Sequence, residues 1–458
     1  MSDIRTIESL LKKYDSAAPR YTSYPPIPYW HDVTPDEVAQ WLGTSNPHGD
    51  GSLSLYTHVP FCHSRCSYCG CFVIITSKEP PVSKYVASLH REMELVRRYL
   101  GSRRRVRQYH LGGGTPTHIN QDEIARLTAK ARTLFEFEAD VEMSIELDPR
   151  RLSVGDLAHM RGLGFNRLSF GIQDFDPEVQ REVNRIQPHE NVARLVDAAR
   201  AQGYLSLNFD LIYGLPRQTR ASFEGTVDKV IAMRPDRLAI YNFAYLPNTF
   251  PHQRRMDAGT LPPPEEKMAI FLMTQQRLMD AGYAPIGLDH FALENDELAV
   301  AARNGTMHRN FMGYTTQAGA DLIGFGVSGI SEFNGRFWQN EKKLVAYERI
   351  LDSDTLPVVR GMLLDPEDLL RQRIISGLFC EGGVDFARLG ARFGGDVAGH
   401  FAQELRTLEP LAEDGLIRLA PDKLEVLPLG RHFLRNIAVV FDNHIGRSQT
   451  QVKFSRTV

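Results

Sequence analysis

The chain has 458 residues, 42% of them hydrophobic and 24% charged, a composition that excludes a disordered protein and leaves room for one large catalytic domain with a smaller attachment. A net charge of −3 and a sequence pI of about 6.6 argue against nucleic acid or an anionic membrane as the main partner. The opening MSDIRTIESLLKKYD has no apolar signal region, and no stretch approaches the ~20 apolar residues that span a bilayer, so a cytoplasmic protein is expected.

Residues 1–35, ending in PRYTSYPPIPYW, lack a sustained period and read as an extended arm after a short helix. A catalytic domain is expected over 36–361. From residue 51 the strands SLSLYTHV, VRQYHL, VEMSIEL, NRLSFGI, LSLNFDLIY and DRLAIYNFA alternate with helical segments such as VSKYVASLHREMELVRRYL, QDEIARLTAKARTLF, SVGDLAHMRGLG, HENVARLVDAARAQG and ASFEGTVDKVIAM. Six such units imply an α/β fold with a parallel sheet. YAPIGLDHF and DLIGFGVSGISEF look buried and β-like, extending that sheet, with the polar NGTMHRNFMGYTTQAG between them. Over 362–458 the helical LDPEDLLRQRIISGLF and VAGHFAQELRTLEPLAEDG precede two short strand-like pieces, LIRLA and KLEVLPL. That order suggests a small, mostly helical or winged domain. It carries no basic stripe, so a lid or packing role is preferred to DNA binding.

Four of the five cysteines fall within ten residues, too close for a secreted disulfide framework and typical of metal ligation in a reducing compartment. Cys380, in IISGLFC, reads as a small buried hydrophobe. Cys62, Cys66 and Cys69 follow the first strand with the spacing C-x₃-C-x₂-C, which can deliver three thiolates to three irons of a cube and leave the fourth open. Structural zinc would want a second Cys or His pair at a distance, and none follows. Cys71 as a fourth ligand would make a closed electron-transfer cluster, but four ligands on so short a loop fit poorly around one cube.

The other distinctive residues stand at the C-terminal ends of predicted strands, where parallel barrels assemble their active sites. These are GGGTP (Gly112 to Pro116), Glu146 and Asp148, Gly171 and Gln173, Asp210 leading into YGLPRQT, and Asn242 with Ala244. Singly, each reads as a turn glycine or a capping acid; jointly they outline a site.

The cysteine spacing with an aromatic before the third cysteine, GGGTP and IELDP together resemble the radical S-adenosylmethionine superfamily. PRYTSYP, CSYCGC, GIQDF, VNRIQ, FDLIYGLP, HRNF and GYTTQ narrow the likeness, over nearly the whole chain, to the oxygen-independent coproporphyrinogen III oxidase family of bacterial haem synthesis. The resemblance implies a partial (βα)6 barrel with extensions, a [4Fe–4S] cluster on Cys62, Cys66 and Cys69, and two S-adenosylmethionine molecules in one site. It carries Tyr56, Gly113, Glu146 and Ile330 to the first molecule. To the second it carries Tyr68, Gly114, Thr115, Gln173, Arg185, Asp210 and Ala244, where a carboxylate can accept from hydroxyls or an amine and a guanidinium can clamp a carboxylate. It further implies a porphyrinogen substrate, a separate electron donor and a monomer.

Arg20 in the arm and His308, Arg309 and Asn310 in the later loop are the candidates for the substrate's carboxylates, and the arm for closing the pocket. One departure stands out: Met312 follows HRNF where the family pattern has Gln. Two relatives of the same superfamily are rivals, a haem-binding chaperone and a methyltransferase that opens haem. The arm and Cys71 favour the oxidase, since the chaperones typically lack the first and carry an aromatic at the second.

Overall fold

The computed structural model describes residues 9–10, 12–14, 16–44 and 49–445; predicted features in 1–8 and 446–458 lie outside the described residues. Six parallel strands form the centre of the fold: β1 (Leu53–Val59), β2 (Arg105–Gly113), β3 (Glu136–Leu147), β4 (Arg167–Gln173), β5 (Ser206–Tyr213) and β6 (Arg237–Asn242). The intervening helices are α1 (Glu79–Tyr99), α2 (Gln121–Leu134), α3 (Val154–Gly162), α4 (His189–Ala201) and α5 (Arg220–Met233), all within a few residues of the sequence expectation. Several carry their start signal: the Asn120 side chain accepts from Glu123 N, and Ser153 and Thr219 close reciprocal capping boxes.

The two faces of the strands differ in chemistry. Tyr109, Leu111, Met143, Ile145, Leu168, Phe170, Phe209 and Ile240 are buried in the main apolar core. Their alternates, including His110, Ser144, Glu146, Ser169, Asn208, Asp210 and Tyr241, line an internal cavity of about 170 Å³. Below it an ionic ladder crosses the barrel: Gln108 donates to Glu142 (2.7 Å), Arg167 pairs with Glu142 (3.2 Å) and Glu297 (2.5 Å), and Arg237 pairs with Glu297 (2.8 Å) and Asp296 (3.0 Å). Buried charges persist when partners satisfy them, and this ladder forms a fixed floor to the cavity.

Beyond the barrel strands the chain differs from its simplest reading. YAPIGLDHF is not one strand but an antiparallel hairpin, β7 (Tyr283–Ile286) with β8 (His290–Leu293), and β8 pairs with β6. DLIGFGVSGISEF likewise folds back, as β9 (Asp321–Phe325) and β10 (Ile330–Phe333), with β9 parallel to β1. The turn needs Gly326, at φ +96°, and buried Glu92 of α1 holds it by accepting from Gly326 N (2.7 Å) and Tyr347 OH (2.5 Å). Strands β11 (Arg336–Asn340) and β12 (Val358–Leu363) and the short strand His31–Asp32 complete a 13-stranded sheet. Between β8 and β9 a two-stranded hairpin, His308–Asn310 with Gly313–Thr315, stands outside that sheet.

The last part of the chain is a helix, α6 (Pro366–Cys380), followed by shorter helices and a three-stranded sheet of Gly383–Asp385, Lys423–Val426 and Ile417–Ala420. The strand Gly383–Asp385 and the helix Phe386–Phe393 have no counterpart in the sequence reading. Tyr21 and Tyr24 of the arm are buried in the core of this part with Phe379, Phe433 and Ile437. Their hydroxyls donate to Asp442 and Asn443, both at 2.9 Å. Cys380 is buried in the same core.

Candidate active site

The cysteine loop leaves β1 and is held from several sides. Gly114 N donates to Val59 O (2.8 Å), Thr115 N to Phe61 O (2.9 Å) and Ile74 N to Pro60 O (2.7 Å). The three glycines at the end of β2, Gly112 to Gly114, are required by this close packing. A Cβ on Gly114 would come within 2.8 Å of Phe61 O and 2.9 Å of Pro60 O, and one on Gly112 within 2.9 Å of both Tyr56 and Glu146. On the far side Ser67 N donates to Val183 O (3.0 Å), the Asn184 side chain to Arg65 O (3.1 Å), and the His252 ring meets Cys69 O at 2.8 Å.

Basic groups and a hydroxyl surround the thiols. Cys62 Sγ is 3.4 Å from Thr115 Oγ1, and Cys66 Sγ is 3.6 Å from Arg185 and 3.9 Å from Arg150. Cys66 is buried, Cys62 and Cys69 are partly so, and Cys71 is exposed. Burial pushes the Cys62 thiol up to about 11, although Thr115 opposes it. Among the described residues no three metal-ligating side chains converge on a point for one ion. Three cysteines on one loop with no distant Cys or His pair suit a cluster with one ligand per iron better than structural zinc.

Around this loop the strand ends form the rest of the site. Tyr56 stacks on His110 (5.7 Å between centroids) and its hydroxyl lies 3.0 Å from His58 Nδ1. Glu146 accepts from Gly113 N (2.9 Å) and lies 3.3 Å from His110 Nε2. Burial raises its pKa, but these contacts outweigh burial and hold it below the usual carboxylate range. Asp210 accepts from Asn208 (2.9 Å) and Ser169 (3.2 Å); burial and the charge of Glu146 nevertheless push it up to about 6. Arg185, buried, donates to Gly171 O (2.6 Å) and lies 3.4 Å from Asp148. Three polar atoms here, Gln173 Oε1, Arg185 Nε and Asn242 Oδ1, are sealed from solvent and have no protein partner. Buried polar groups are rarely left so, and a polar cofactor fits the vacant valences.

Against curated proteins the chain is 42% identical over 451 residues to the oxygen-independent coproporphyrinogen III oxidase of Salmonella typhimurium, covering 98% of each. The chain belongs to the oxygen-independent coproporphyrinogen III oxidase family. The family member of Pseudomonas aeruginosa is 41% identical across 100% of both chains. The solved structure described as coproporphyrinogen III oxidase (HemN) from Escherichia coli, a radical SAM enzyme, aligns with a TM-score of 0.90 at 40% identity, over 96% of this chain and 99% of that one. The radical SAM superfamily model matches residues 56–230 and the HemN C-terminal domain model residues 364–433. The fold is the radical SAM partial barrel with its extensions and a helical C-terminal domain, and the family's cofactors are a [4Fe–4S] cluster and S-adenosylmethionine. No helix among the described residues is long and apolar enough to cross a membrane.

The candidates of this coproporphyrinogen oxidase chain fall into three groups. Tyr56, Gly113, Gly114, Thr115 and Glu146 surround the base of the cysteine loop, Gly171, Gln173 and Asp210 follow on the next strands, and Arg185 reaches Gly171 from the segment before α4. Tyr68 packs against an apolar cluster with Phe243, and both Tyr68 O and Ala244 O accept from Gln253, at 3.5 and 3.3 Å. Ile330 is buried with Trp30 and Phe337; its backbone abuts Gly324, the register partner of Tyr56.

The substrate candidates are split. Arg20 donates to Asn242 O (2.6 Å) at the end of β6. Arg309 donates to Arg20 O (2.9 Å) and Tyr21 O (2.7 Å), so hairpin and arm are tied. His308, Arg309 and Asn310 line a second cavity of about 660 Å³ between the hairpin, the arm and α6, while Asn310 and Met312 also line the barrel cavity. Burial pushes His308 down to about 4, so it is neutral near pH 7.

Sequence reasoning missed Arg150, His110 and the pair Asp289 with His290 (2.8 Å). Arg150 follows directly on IELDP and could have been read from it. The others had no motif to mark them.

Proposed function

We propose that this chain converts coproporphyrinogen III to protoporphyrinogen IX without oxygen, turning two propionates into vinyl groups by oxidative decarboxylation. The observation that carries this reading is a loop bearing three cysteines set beside a glycine cradle and sealed unpartnered polar atoms at one end of a barrel, in a chain similar to these oxidases over its full length. When bound, the cluster and S-adenosylmethionine supply a 5′-deoxyadenosyl radical that removes hydrogen from a propionate side chain.

Cys62, Cys66 and Cys69 hold the cluster. Tyr56, Gly113, Glu146 and Ile330 hold the first S-adenosylmethionine, with the low-pKa carboxylate of Glu146 accepting from hydroxyls. Tyr68, Gly114, Thr115, Gln173, Arg185, Asp210 and Ala244 hold the second, where Gln173 and Arg185 offer their unpartnered atoms. Arg20 and Arg309 meet substrate carboxylates, His308 and Asn310 add neutral hydrogen bonds, and the arm excludes water. The division at 1–35, 36–361 and 362–458, monomeric action and a separate electron donor belong to the same proposal.

The test is anaerobic reconstitution followed by reductant, S-adenosylmethionine and coproporphyrinogen III. Protoporphyrinogen with matching CO₂ and 5′-deoxyadenosine is the expected result, lost in Cys62→Ser. Cofactor cleavage without CO₂ would overturn the substrate assignment and make haem the next compound tested.

A further inference from the structure

For each S-adenosylmethionine cleaved the proposed chemistry takes one electron in through the cluster, and it gives one up as each vinyl group forms; the chain has no second centre to store either. Four of its five cysteines lie in the cluster loop, and the fifth, Cys380, is buried in the C-terminal part. No thiolate set remains for a relay cluster, so each electron comes from another molecule.

One route from the loop to the surface runs past its one buried cluster cysteine, Cys66. Arg150 Nη2 lies 3.9 Å from Cys66 Sγ, and Arg150 Nη1 donates to Asn184 O at 3.4 Å. Asn184 is exposed, and Ile186 beside it is 65% exposed, among the most exposed large apolar residues of the chain. One guanidinium therefore separates a cluster ligand from solvent-facing backbone.

The surface at this point is basic in a chain whose net charge is −3. Arg65 and Arg181, whose main-chain carbonyls accept from Asn184, and Arg151, next to Arg150, are all exposed. Neither Arg151 nor Arg181 has a carboxylate within ion-pair distance among the described residues, and Arg65 uses its guanidinium on Val73 O (2.9 Å). Nearby acids are largely committed: Asp148 to Arg150 (2.6 Å) and Glu182 to Arg217 (2.6 Å), leaving exposed Glu178 at the edge. An apolar centre ringed by uncompensated arginines fits a protein partner with an acidic rim, and long-range attraction would speed and orient its encounters.

We infer that the face formed by Arg65, Arg151, Arg181, Asn184 and Ile186 docks a small one-electron carrier protein that is acidic around its own redox group. The inference rests on the reaction proposed above. In the encounter one electron leaves the carrier, which is oxidised, and enters the cluster, which is reduced; no atom or proton moves and no bond forms or breaks. Cys66 and Arg150 mark the path to this face.

The test uses the reconstituted holoenzyme and a reduced plant-type [2Fe–2S] ferredoxin as the acidic probe. Wild type is compared with Arg151→Glu/Arg181→Glu for ferredoxin Kd across a salt series and for cluster bleaching in stopped flow, with dithionite as a reductant that needs no docking. The variant is expected to raise Kd by about tenfold or more at low salt, with the difference shrinking as salt rises. Bleaching by ferredoxin slows in proportion, while bleaching and porphyrin formation driven by dithionite match wild type. Equal Kd values, or wild-type binding that salt does not weaken, would overturn the docking face. Should the double variant lose iron, Arg151→Gln/Arg181→Gln is expected to give an intermediate Kd with iron retained. Failure of porphyrin formation with dithionite in wild type would count against the reaction and leave the docking readouts intact.

Discussion

Arg20 of the N-terminal arm donates a 2.6 Å hydrogen bond to the main-chain carbonyl of Asn242, the last residue of β6. A charged donor on a carbonyl contributes about 1.5–3 kcal/mol where it is shielded from water. The arm is thus fastened at the end of the barrel where the strand-end residues converge. Arg20→Ala is expected to lower CO₂ released per 5′-deoxyadenosine several-fold, because water gains access and the radical is quenched off-pathway. Iron content is expected to stay at the wild-type level, and product ratios from single-turnover mixtures check both statements.

Gly114→Ala places a methyl against the backbone of Pro60 and Phe61, which cannot rotate away. The loop must move instead, at a cost of about 1–3 kcal/mol. Reconstituted protein is expected to hold markedly less iron and sulfide than wild type, read by chemical assay and by absorbance of the cluster. Gly225→Ala, on the exposed side of α5 with nothing within 4 Å, serves as the control and is expected to assemble normally.

Glu146→Gln keeps the shape of the side chain and removes its charge. Gly113 N and His110 then lose a charged acceptor, and under the assignment proposed above bound S-adenosylmethionine loses a carboxylate partner. A weakening of cofactor binding by about 10- to 100-fold is expected from the loss of a charge-assisted contact of roughly 1.5–3 kcal/mol. Equilibrium dialysis on iron-replete protein measures it.

Asp210 supplies a pH signature. Its carboxyl is held at about 6 in the fold, against an ordinary value near 3.8, chiefly by burial and by the charge of Glu146. The folded state therefore binds the proton more tightly than the unfolded chain. The favourable contribution is complete below about pH 4 and is lost as pH rises through about 6. Above that the ionised group costs up to roughly 3 kcal/mol. Asp210→Asn is expected to raise Tm at pH 8 by a few degrees and to match wild type at pH 4, while weakening S-adenosylmethionine binding at both. Equal Tm at pH 8 would show that the carboxylate is not destabilising there.

The six barrel strands were legible because each alternates apolar and polar residues over most of its length and three of the helices between them, at Asn120, Ser153 and Thr219, begin with a recognisable cap. The strand ends were legible because Gly112, Glu146 and Asp210 fall at the same phase of that alternation. The turns at Gly326 and before His290 were not, because their turn residues, Gly326 to Gly329 and Gly287 to Asp289, sit between short apolar pieces that together resemble one buried strand. Glu92, which holds the Gly326 turn, lies over two hundred residues away and has no local signature. Arg20 could be suspected from its motif, but its contact with Asn242 depends on the arm being anchored by Tyr21 and Tyr24, a tertiary fact.

The hairpin of His308–Asn310 and Gly313–Thr315 is a party wall: Asn310 faces both the barrel cavity and the larger cavity under α6. Space on its two sides is reciprocal, so a bulky macrocycle that widens the inner room must narrow the outer one. A compound wedged into the outer cavity would act as a doorstop, limiting how far the inner room can open without touching iron, sulfur or cofactor.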